Sequence, residues 1–390
     1  TRQPRLAGRR GAARRGRQGS ARNSQTTKMT NPRKPPQGTR AASRSAVRSC
    51  LGESIATRQG LRSRVGPRAR AFASARASRA AALHFLVVSD WGGLPVWPWV
   101  TPAQIGVADA MGRIASRHNS KFALSLGDHF YFSGVRDEKD PRFRRTFERA
   151  FRAPSLLAPG FFRVVAGNHD HDGNISAQLA YASRRNSRWY YPALQYAWRE
   201  SVPSGDGAVV AFVLIDTVLL CGMPRQPPPA DAETHWRWLA KALEDAQDAD
   251  FLVVGGHYPV HSPASHGPNK CLQRRLLPLL TKYSVDVYFS GHDHALFHVC
   301  ASAGNAVQFH GVGAGFTTTS SQKHLRTCAK QLRFHHRGVK RPLNAFSGGF
   351  AGVSVNASAI SVVHYDASGK RLYAHSKQRT RTPAKVVLQL

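Results

Sequence analysis

The sequence predicts an α/β fold that follows a disordered, basic N-terminal arm. Short apolar runs begin abruptly at Leu83, and each is followed by a short polar segment, which is typical of buried strands. Helical patterns lie between some of these runs, and such alternation indicates a sheet covered by helices. The predicted strands are residues 83–89, 122–126, 161–166, 209–215, 251–254 and 285–290.

Two helices are predicted between these strands. Thr101 can cap the first helix, with Pro102 at its first position. Asp231 can cap the second. The predicted apolar face of the first helix is Ile105, Ala108, Met111, Ile114 and Ala115, and that of the second is Trp236, Leu239, Ala240 and Leu243. Near the C-terminus, residues 350–355, 359–365 and 371–375 are predicted to be consecutive antiparallel strands.

The charge of the chain is concentrated in its first 80 residues. The whole chain carries a formal +34, and residues 1–80 hold 21 basic residues against the single acid Glu53. This segment has almost no apolar run, so we expect it to be disordered. Its Arg- and Ser-rich composition after Met29 fits a transit peptide. Two alternatives remain: an arm that binds nucleic acid or an anionic surface, and translated noncoding sequence, because the chain begins at Thr1.

Several protein classes are excluded by composition. No run approaches the roughly 18 apolar residues of a membrane span, and the best candidate, residues 209–220, is interrupted by Asp216. No apolar h-region of a secretory signal follows the first arginines. Five cysteines without a CxxC pattern argue against a disulfide scaffold and a thiolate zinc site.

Polar groups follow the predicted strands at their carboxyl ends, each beside a glycine. The five punctuating segments are Asp90-Trp91-Gly92, Gly127-Asp128-His129-Phe130-Tyr131, Gly167-Asn168-His169-Asp170, Gly256-His257-Tyr258-Pro259 and Gly291-His292-Asp293-His294. Ligands of open α/β sheets bind outside the carboxyl ends of strands, so we expect these groups to meet. The candidate metal ligands are Asp90, Asp128, Tyr131, Asn168, His257, His292 and His294.

These residue types point to a pair of metal ions. Carboxylate and imidazole suit Fe, Zn or Mn. Seven ligands exceed one coordination sphere, whereas two ions about 3.5–4 Å apart with a shared carboxylate account for them. Each residue alone has a structural explanation, such as a turn-forming Asp or Asn, a core tyrosine or a hydrogen-bonded histidine. If no metal site existed, all of these separate explanations would have to hold at once, for residues that follow successive strands.

The ordered motifs resemble those of the purple acid phosphatases, within the metallophosphoesterases, and most closely the small animal-type tartrate-resistant acid phosphatases. The resemblance runs from about residue 83 to 377 and extends to residues 127–135, 167–181 and 347–351. It implies a β-sandwich of two mixed sheets flanked by helices, with the metal site at the carboxyl ends of strands. The predicted organisation is a basic arm (1–80), a catalytic domain (81–380) and a short tail (381–390).

The resemblance also implies the ligand set of each metal. Fe(III) would be held by Asp90, Asp128, Tyr131 and His294. A second divalent ion, Fe, Zn or Mn, would be held by Asp128, Asn168, His257 and His292, with Asp128 as the bridge. Most metallophosphoesterases begin Asp-x-His, but Gly92 stands at the third position here and Tyr131 replaces the lost ligand. A tyrosinate favours a trivalent ion.

The predicted activity is hydrolysis of phosphate monoesters by a metal-bound hydroxide. The predicted catalytic residues are Asp128, His169, which would protonate the leaving group, and His266, near the mouth of the site. Asp170 would orient His169 or anchor its turn. The alternatives are a phosphodiesterase or phosphoprotein phosphatase with Zn or Mn and, from another class, a nucleic-acid-binding protein acting through residues 1–80.

The compartment is left open by conflicting signals. Cys221 and Cys271 match a disulfide pair of the animal enzymes, and Asn174 and Asn356 begin glycosylation sequons, so a secretory, lysosomal or extracellular route is favoured. The N-terminal arm instead suggests organelle import. The loop after Cys221 is short and Pro-rich, so activation by cleavage there is not expected.

Overall fold

The computed structural model describes residues 82–300, 307–338 and 346–381. In these residues fourteen strands form two mixed sheets with helices on their outer faces, which confirms the predicted fold class. The predictions for residues 1–80 and for the 381–390 tail fall almost entirely outside the described residues. Among those described, no helix is both long and apolar enough to cross a membrane.

The strands bear out the predicted order and add several short ones. In chain order they are β1 (Leu83–Val88), β2 (Ala123–Ser125), β3 (Phe162–Val164), β4 (Trp189–Tyr190), β5 (Tyr196–Ser201), β6 (Val209–Ile215), β7 (Phe251–Gly256), β8 (Val287–Ser290), β9 (Leu296–Cys300), β10 (Gln308–Val312), β11 (Leu332–His336), β12 (Gly349–Val355), β13 (Ala359–Asp366) and β14 (Arg371–Gln378). The first sheet has the order β14-β13-β12-β1-β2-β3-β4, and the second β11-β9-β10-β8-β7-β6-β5. Within them β1 to β4 are parallel, as are β6, β7, β8 and β10.

The helices connect and cover the strands. In chain order they are α1 (Pro102–His118), α2 (Asn168–His171), α3 (Ile175–Arg184), α4 (Thr217–Cys221), α5 (Ala232–Asp245), α6 (Lys270–Lys282) and α7 (Leu325–Cys328), with a π-helix at Phe143–Glu148 and a 3-10 turn at Pro154–Leu156. As predicted, the Thr101 hydroxyl accepts from the Gln104 amide at the start of α1. The helix ends at Asn119, whose φ of 51° is left-handed.

The buried side chains form two cores, one on each face of the second sheet. In β6, Val210, Phe212 and Leu214 pack in the core shared with the first sheet. The alternate residues Val213 and Ile215 pack with α5 and α6 instead. This period of two follows from the pleat of a strand and makes the molecule a sandwich.

Two predicted details of the helices are wrong. Ile105 is 46% exposed, whereas Gln104 is buried because its side-chain amide donates to the Thr146 carbonyl. The other four residues predicted for this face, Ala108, Met111, Ile114 and Ala115, are buried as expected. Helix α5 begins where expected, but Asp231 makes no capping hydrogen bond and instead lies 3.4 Å from the His235 imidazole one turn later.

Candidate metal centre

The candidate ligands lie in loops at the carboxyl ends of five strands. Asp90 follows β1, Asp128 and Tyr131 follow β2, and Asn168 follows β3, all in the first sheet. His257 follows β7, and His292 and His294 follow β8, both in the second. The centre thus lies across the ends of both sheets, and not along one sheet edge as strand ends alone suggested.

The loop backbones adopt conformations that non-glycine residues seldom use. Asp90, Asp128 and His292 have φ values of 57°, 53° and 67°. Such conformations cost of order 1–3 kcal/mol each and cluster at functional sites. Space is equally restricted at Gly167, where a Cβ atom would lie 2.3 Å from Asp128 Oδ1. The glycines beside the ligands therefore permit the close approach of neighbouring loops.

Three ligand atoms form a first triad. Tyr131 Oη lies 3.2 Å from Asp90 Oδ1 and 2.8 Å from His294 Nε2, and the last two atoms are 3.5 Å apart. Asp90 and Tyr131 are fully buried or nearly so. The triad contains one carboxylate, one phenol and one imidazole nitrogen around a common point.

A second triad, Asn168, His257 and His292, lies beside the first and in contact with Asp128. His257 Nε2 is 3.2 Å from Asn168 Oδ1 and 3.3 Å from Asp128 Oδ1. His257 Nδ1 is held at 2.9 Å by the Leu126 carbonyl, which leaves Nε2 as the ligand atom. Ligand atoms of Asp128, His257 and His292 lie within 4.8 Å of one another. The second predicted ligand set is therefore also brought together.

The charge of Asp128 acts on both triads. Burial alone would lower the pKa of His257, but Asp128, with smaller effects of Asp90 and the Leu126 carbonyl, raises that pKa to about 9. In the first triad, burial also opposes the proton on His294, whereas Asp90 and then Asp128 raise its pKa. Burial, Asp90 and Asp128 together raise the pKa of the Tyr131 phenol well above 10. The Asp128 carboxylate therefore acts on residues of both triads, as a ligand that bridges two metal ions must.

The donor set fits two metal ions. Buried carboxylates and imidazoles are normally paired or coordinate metals, because isolated buried charge is costly. The donors are carboxylate, amide, phenol and imidazole groups. Oxygen and imidazole ligands of this kind suit Fe, Zn or Mn. The two triads are linked by the His292 amide, which donates to Asp90 Oδ2 at 2.9 Å. The ligand assignment itself remains a prediction.

His169 stands at the rim of the two triads. Its amide donates to Asp128 Oδ1 at 3.0 Å, its Nδ1 lies 2.6 Å from the Phe132 carbonyl, and its ring meets Tyr131 edge-on. The imidazole is partly exposed, so it can reach a bound substrate.

Asp170 anchors the turn and does not orient His169. Its carboxylate accepts from the Gly167 amide at 2.9 Å, the His129 amide at 3.1 Å and the Gln178 side chain at 2.9 Å. These bonds tie the loop after β2 to the loop after β3. The His129 imidazole lies among Trp91 and Trp189, away from the ligand atoms.

His266 lies beside the second triad, in the segment between β7 and α6, and is held there by Asp293 from the ligand loop after β8. The exposed His266 ring packs 4.4 Å from the ring of His292. Asp293 is buried and accepts from Ser262, Ser265 and the amides of His266 and Gly267. Asp293 is thus structural, and it places His266 beside the centre.

One contact was missed by sequence reasoning. The ring of Phe316 lies 5.1 Å from Tyr131 and 6.3 Å from His294, and its carbonyl accepts from Thr101. Phe316 belongs to a Gly-Ala-Gly-Phe segment that carries no metal-binding residue type. Only the glycines around it signal a close backbone approach.

Comparison with known proteins identifies the family. The model of the calcineurin-like phosphoesterases matches residues 83–296. The chain belongs to this family. It is 43% identical over 301 residues to tartrate-resistant acid phosphatase type 5 of Sus scrofa, covering 75% of this chain and 85% of that protein. It is 30% identical to purple acid phosphatase 4 of Arabidopsis thaliana, covering 75% of this chain and 82% of that protein.

These identities place the phosphoesterase among the purple acid phosphatases. Among solved structures, the GAP50 anchor in the inner membrane complex of Plasmodium shares the fold, with a TM-score of 0.66 and 24% identity over 77% of this chain and 90% of that one. The disulfide suggested by the resemblance is present between Cys221 at the end of α4 and Cys271 in α6. Asn174 and Asn356 are exposed, and their glycosylation stays a prediction.

Proposed function

We propose that the centre holds Fe(III) in the Asp90–Tyr131–His294 triad and a divalent ion, Fe, Zn or Mn, in the other, with Asp128 between them. The chain is a binuclear metallophosphoesterase of the purple acid phosphatase type, which hydrolyses phosphate monoesters. The relatives lend no support to a phosphodiesterase or phosphoprotein phosphatase alternative.

The observation that carries this proposal is the place of Tyr131. Its hydroxyl lies between Asp90 Oδ1 and His294 Nε2, where another metallophosphoesterase would use a histidine. Burial and two carboxylates hold its pKa well above 10, so the phenol alone stays protonated at any working pH. A tyrosinate in this position requires the strong charge of a trivalent cation.

The protein's own groups complete the reaction chemistry. Bound metal ions supply positive charge for the phosphoryl oxygens and lower the pKa of water. Phosphoryl transfer otherwise needs positioning and little else. The Phe132 carbonyl accepts a hydrogen bond from His169 Nδ1, so Nε2 is the ring nitrogen that we assign to proton transfer with the leaving oxygen. His266 lies where it can contact the substrate beyond His292.

The Tyr131→Phe variant tests the metal assignment. The purified wild type should absorb visible light through phenolate-to-Fe(III) charge transfer and hydrolyse p-nitrophenyl phosphate at acid pH. Tyr131→Phe removes only the hydroxyl, so the visible band should disappear while the circular dichroism spectrum is unchanged. Metal analysis of both proteins is done on the same samples.

Tyr181→Phe is a matched control. Tyr181 is also buried and hydrogen-bonded, to Glu148 at 2.6 Å, but lies outside the triads. Its variant should keep the band. A wild type that contains iron and hydrolyses the ester without any band, or a band that survives in Tyr131→Phe, would contradict the Fe(III)–tyrosinate assignment.

A further inference from the structure

At one edge of the core between the two sheets, the buried positions are occupied by four histidines and not by aliphatic residues. His298 in β9 and His310 in β10 pair directly across the second sheet, and both are fully buried. From the first sheet, His364 in β13 lies on the face that carries Val362, and His375 in β14 pairs with Val362. We call these four residues the histidine cluster. The purple acid phosphatase reaction makes no use of them.

The cluster brings imidazole nitrogens together. The rings of His298 and His310 stack at 4.2 Å, and the ring of His375 lies 4.4 Å from that of His298. One nitrogen from each of these three residues lies within 4.8 Å of the others. The ligands come from both sheets, so an ion held by them would join the sheets.

Neighbouring hydrogen bonds fix which nitrogens are available. His298 Nε2 lies 2.8 Å from Gln308 Oε1, whose amide nitrogen donates to Cys300 Sγ. His298 therefore donates through Nε2 and presents the lone pair of Nδ1, which Tyr373 Oη approaches at 3.0 Å. Metal-ligating histidines characteristically donate their other nitrogen to such an acceptor.

One ring nitrogen of His310 is engaged by a histidine of the other sheet. Its Nδ1 lies 2.9 Å from His364 Nε2. Its Nε2 is buried and has no hydrogen-bond partner among the residues that the structure describes. A buried nitrogen without a partner is costly, and a bound cation would satisfy it.

We propose that His298, His310 and His375 form a structural Zn(II) site that is separate from the catalytic centre and clamps the two sheets. Imidazole is a preferred zinc ligand, and structural sites take four ligands in a tetrahedron. With Zn–N bonds of about 2.0–2.1 Å, the three nitrogens have to close to about 3.3 Å, a movement that side-chain rotation supplies. The Tyr373 hydroxyl or a water completes the four.

The electrostatic setting favours neutral imidazoles, which are the form that binds metal. Burial lowers the pKa of His310 and His298 well below 6.5, and that of His375 to about 4. Protons therefore compete weakly with a metal, even at mildly acid pH. Two cations act on the cluster, Lys377 of β14 and Arg333 of β11, and Lys377 is paired with Asp286 at 2.7 Å, which reduces its repulsion of an ion.

The site is distinct from the catalytic one. His298 lies within β9, which begins beyond the ligand loop, and none of the three proposed zinc ligands belongs to the two triads. The histidine cluster can therefore be altered without replacing any residue of the two triads.

Metal stoichiometry of the full chain tests the proposal. Wild-type protein dialysed against Zn(II) at neutral pH should contain one zinc more per chain than the His310→Leu and His375→Leu variants, which should keep full hydrolysis of p-nitrophenyl phosphate. Zn(II) affinity, measured by competition with a chromophoric chelator, should fall by more than the 10–100-fold that loss of a supporting hydrogen bond causes. Zn(II) should also raise the unfolding temperature of the wild type more than that of the variants.

His235→Leu is the matched control, since His235 is a partly buried histidine of α5 that contacts Gln195. It should take up zinc as the wild type does. Equal zinc content in the wild type and both cluster variants would overturn the proposal. A wild type with only two ions per chain would overturn it as well, and this result needs no variant to fold.

Discussion

Asp128→Asn should lower kcat for p-nitrophenyl phosphate by about 10³-fold or more, which is about 4 kcal/mol of transition-state stabilisation. The amide keeps the size of the carboxylate but removes the negative charge that lies between the triads. That charge acts on His257, His294 and Tyr131 alike. Its loss weakens the binding of both cations, so metal content should fall together with activity.

Asp109→Asn provides the comparison for this experiment. Asp109 is an exposed residue of α1, and the same change of carboxylate to amide there should leave kcat within about twofold of wild type, since surface substitutions rarely matter. Steady-state kinetics and metal analysis of both variants measure the effect. An Asp128→Asn enzyme with wild-type activity would remove the bridging carboxylate from the mechanism.

Removal of the Cys221–Cys271 disulfide should cause the largest loss of stability. The bond closes a loop over a sequence separation of 50 residues, and the loop contains α5, β7 and His257. Constraint of the unfolded chain by a loop of this size corresponds to about 4 kcal/mol. The double variant Cys221→Ala/Cys271→Ala should therefore unfold about 10 °C lower than wild type.

Two comparisons separate the effect of the cross-link on stability from the effect of replacing the cysteine side chains. Wild-type protein unfolded in the presence of a reductant should unfold at least as readily as the double variant, because the reductant also cleaves the disulfide of Cys300. Cys328→Ala, which removes a buried thiol that forms no disulfide, should cost far less. Denaturant unfolding curves of the four samples give the free energies of unfolding. Equal midpoints for wild type and the double variant would show that the cross-link contributes nothing to stability.

The strands that precede the ligands could be predicted because they are buried on both faces. Residues 83–88 and 251–256 are nearly continuous apolar runs that end at a glycine or an acid, so both their location and their polar ends are visible. The same pattern located the ligands of both triads. Its success depends on parallel strands whose carboxyl ends meet.

Strands β9, β10 and β11 were not predicted, and the reason is physical. In β9 and β10 the positions that face the other sheet are occupied by His298, Gln308 and His310 instead of aliphatic residues. The pattern of apolar residues that indicates a buried strand is therefore missing, although the residues of β9 and β10 are as buried as those of β7. Polar residues that are buried inside a core are invisible to hydrophobic periodicity.

One residue of the α1 face was misjudged for a related reason. Gln104 is polar, but a hydrogen bond to Thr146 allows it to be buried, while the apolar Ile105 remains exposed. Sequence also could not show that the ligand loops come from two sheets, because the strand order in space is set by long-range pairing. That arrangement was implied only by the resemblance to a known family.

Crystallography with anomalous scattering tests the central claim most directly. Data collected on either side of the iron edge should locate two ions about 3.5–4 Å apart. The iron should lie against Asp90, Tyr131 and His294, the second ion against Asn168, His257 and His292, and Asp128 should contact both. Absence of ions from this position in catalytically active crystals, or a single ion without contact to Asp128, would contradict the account.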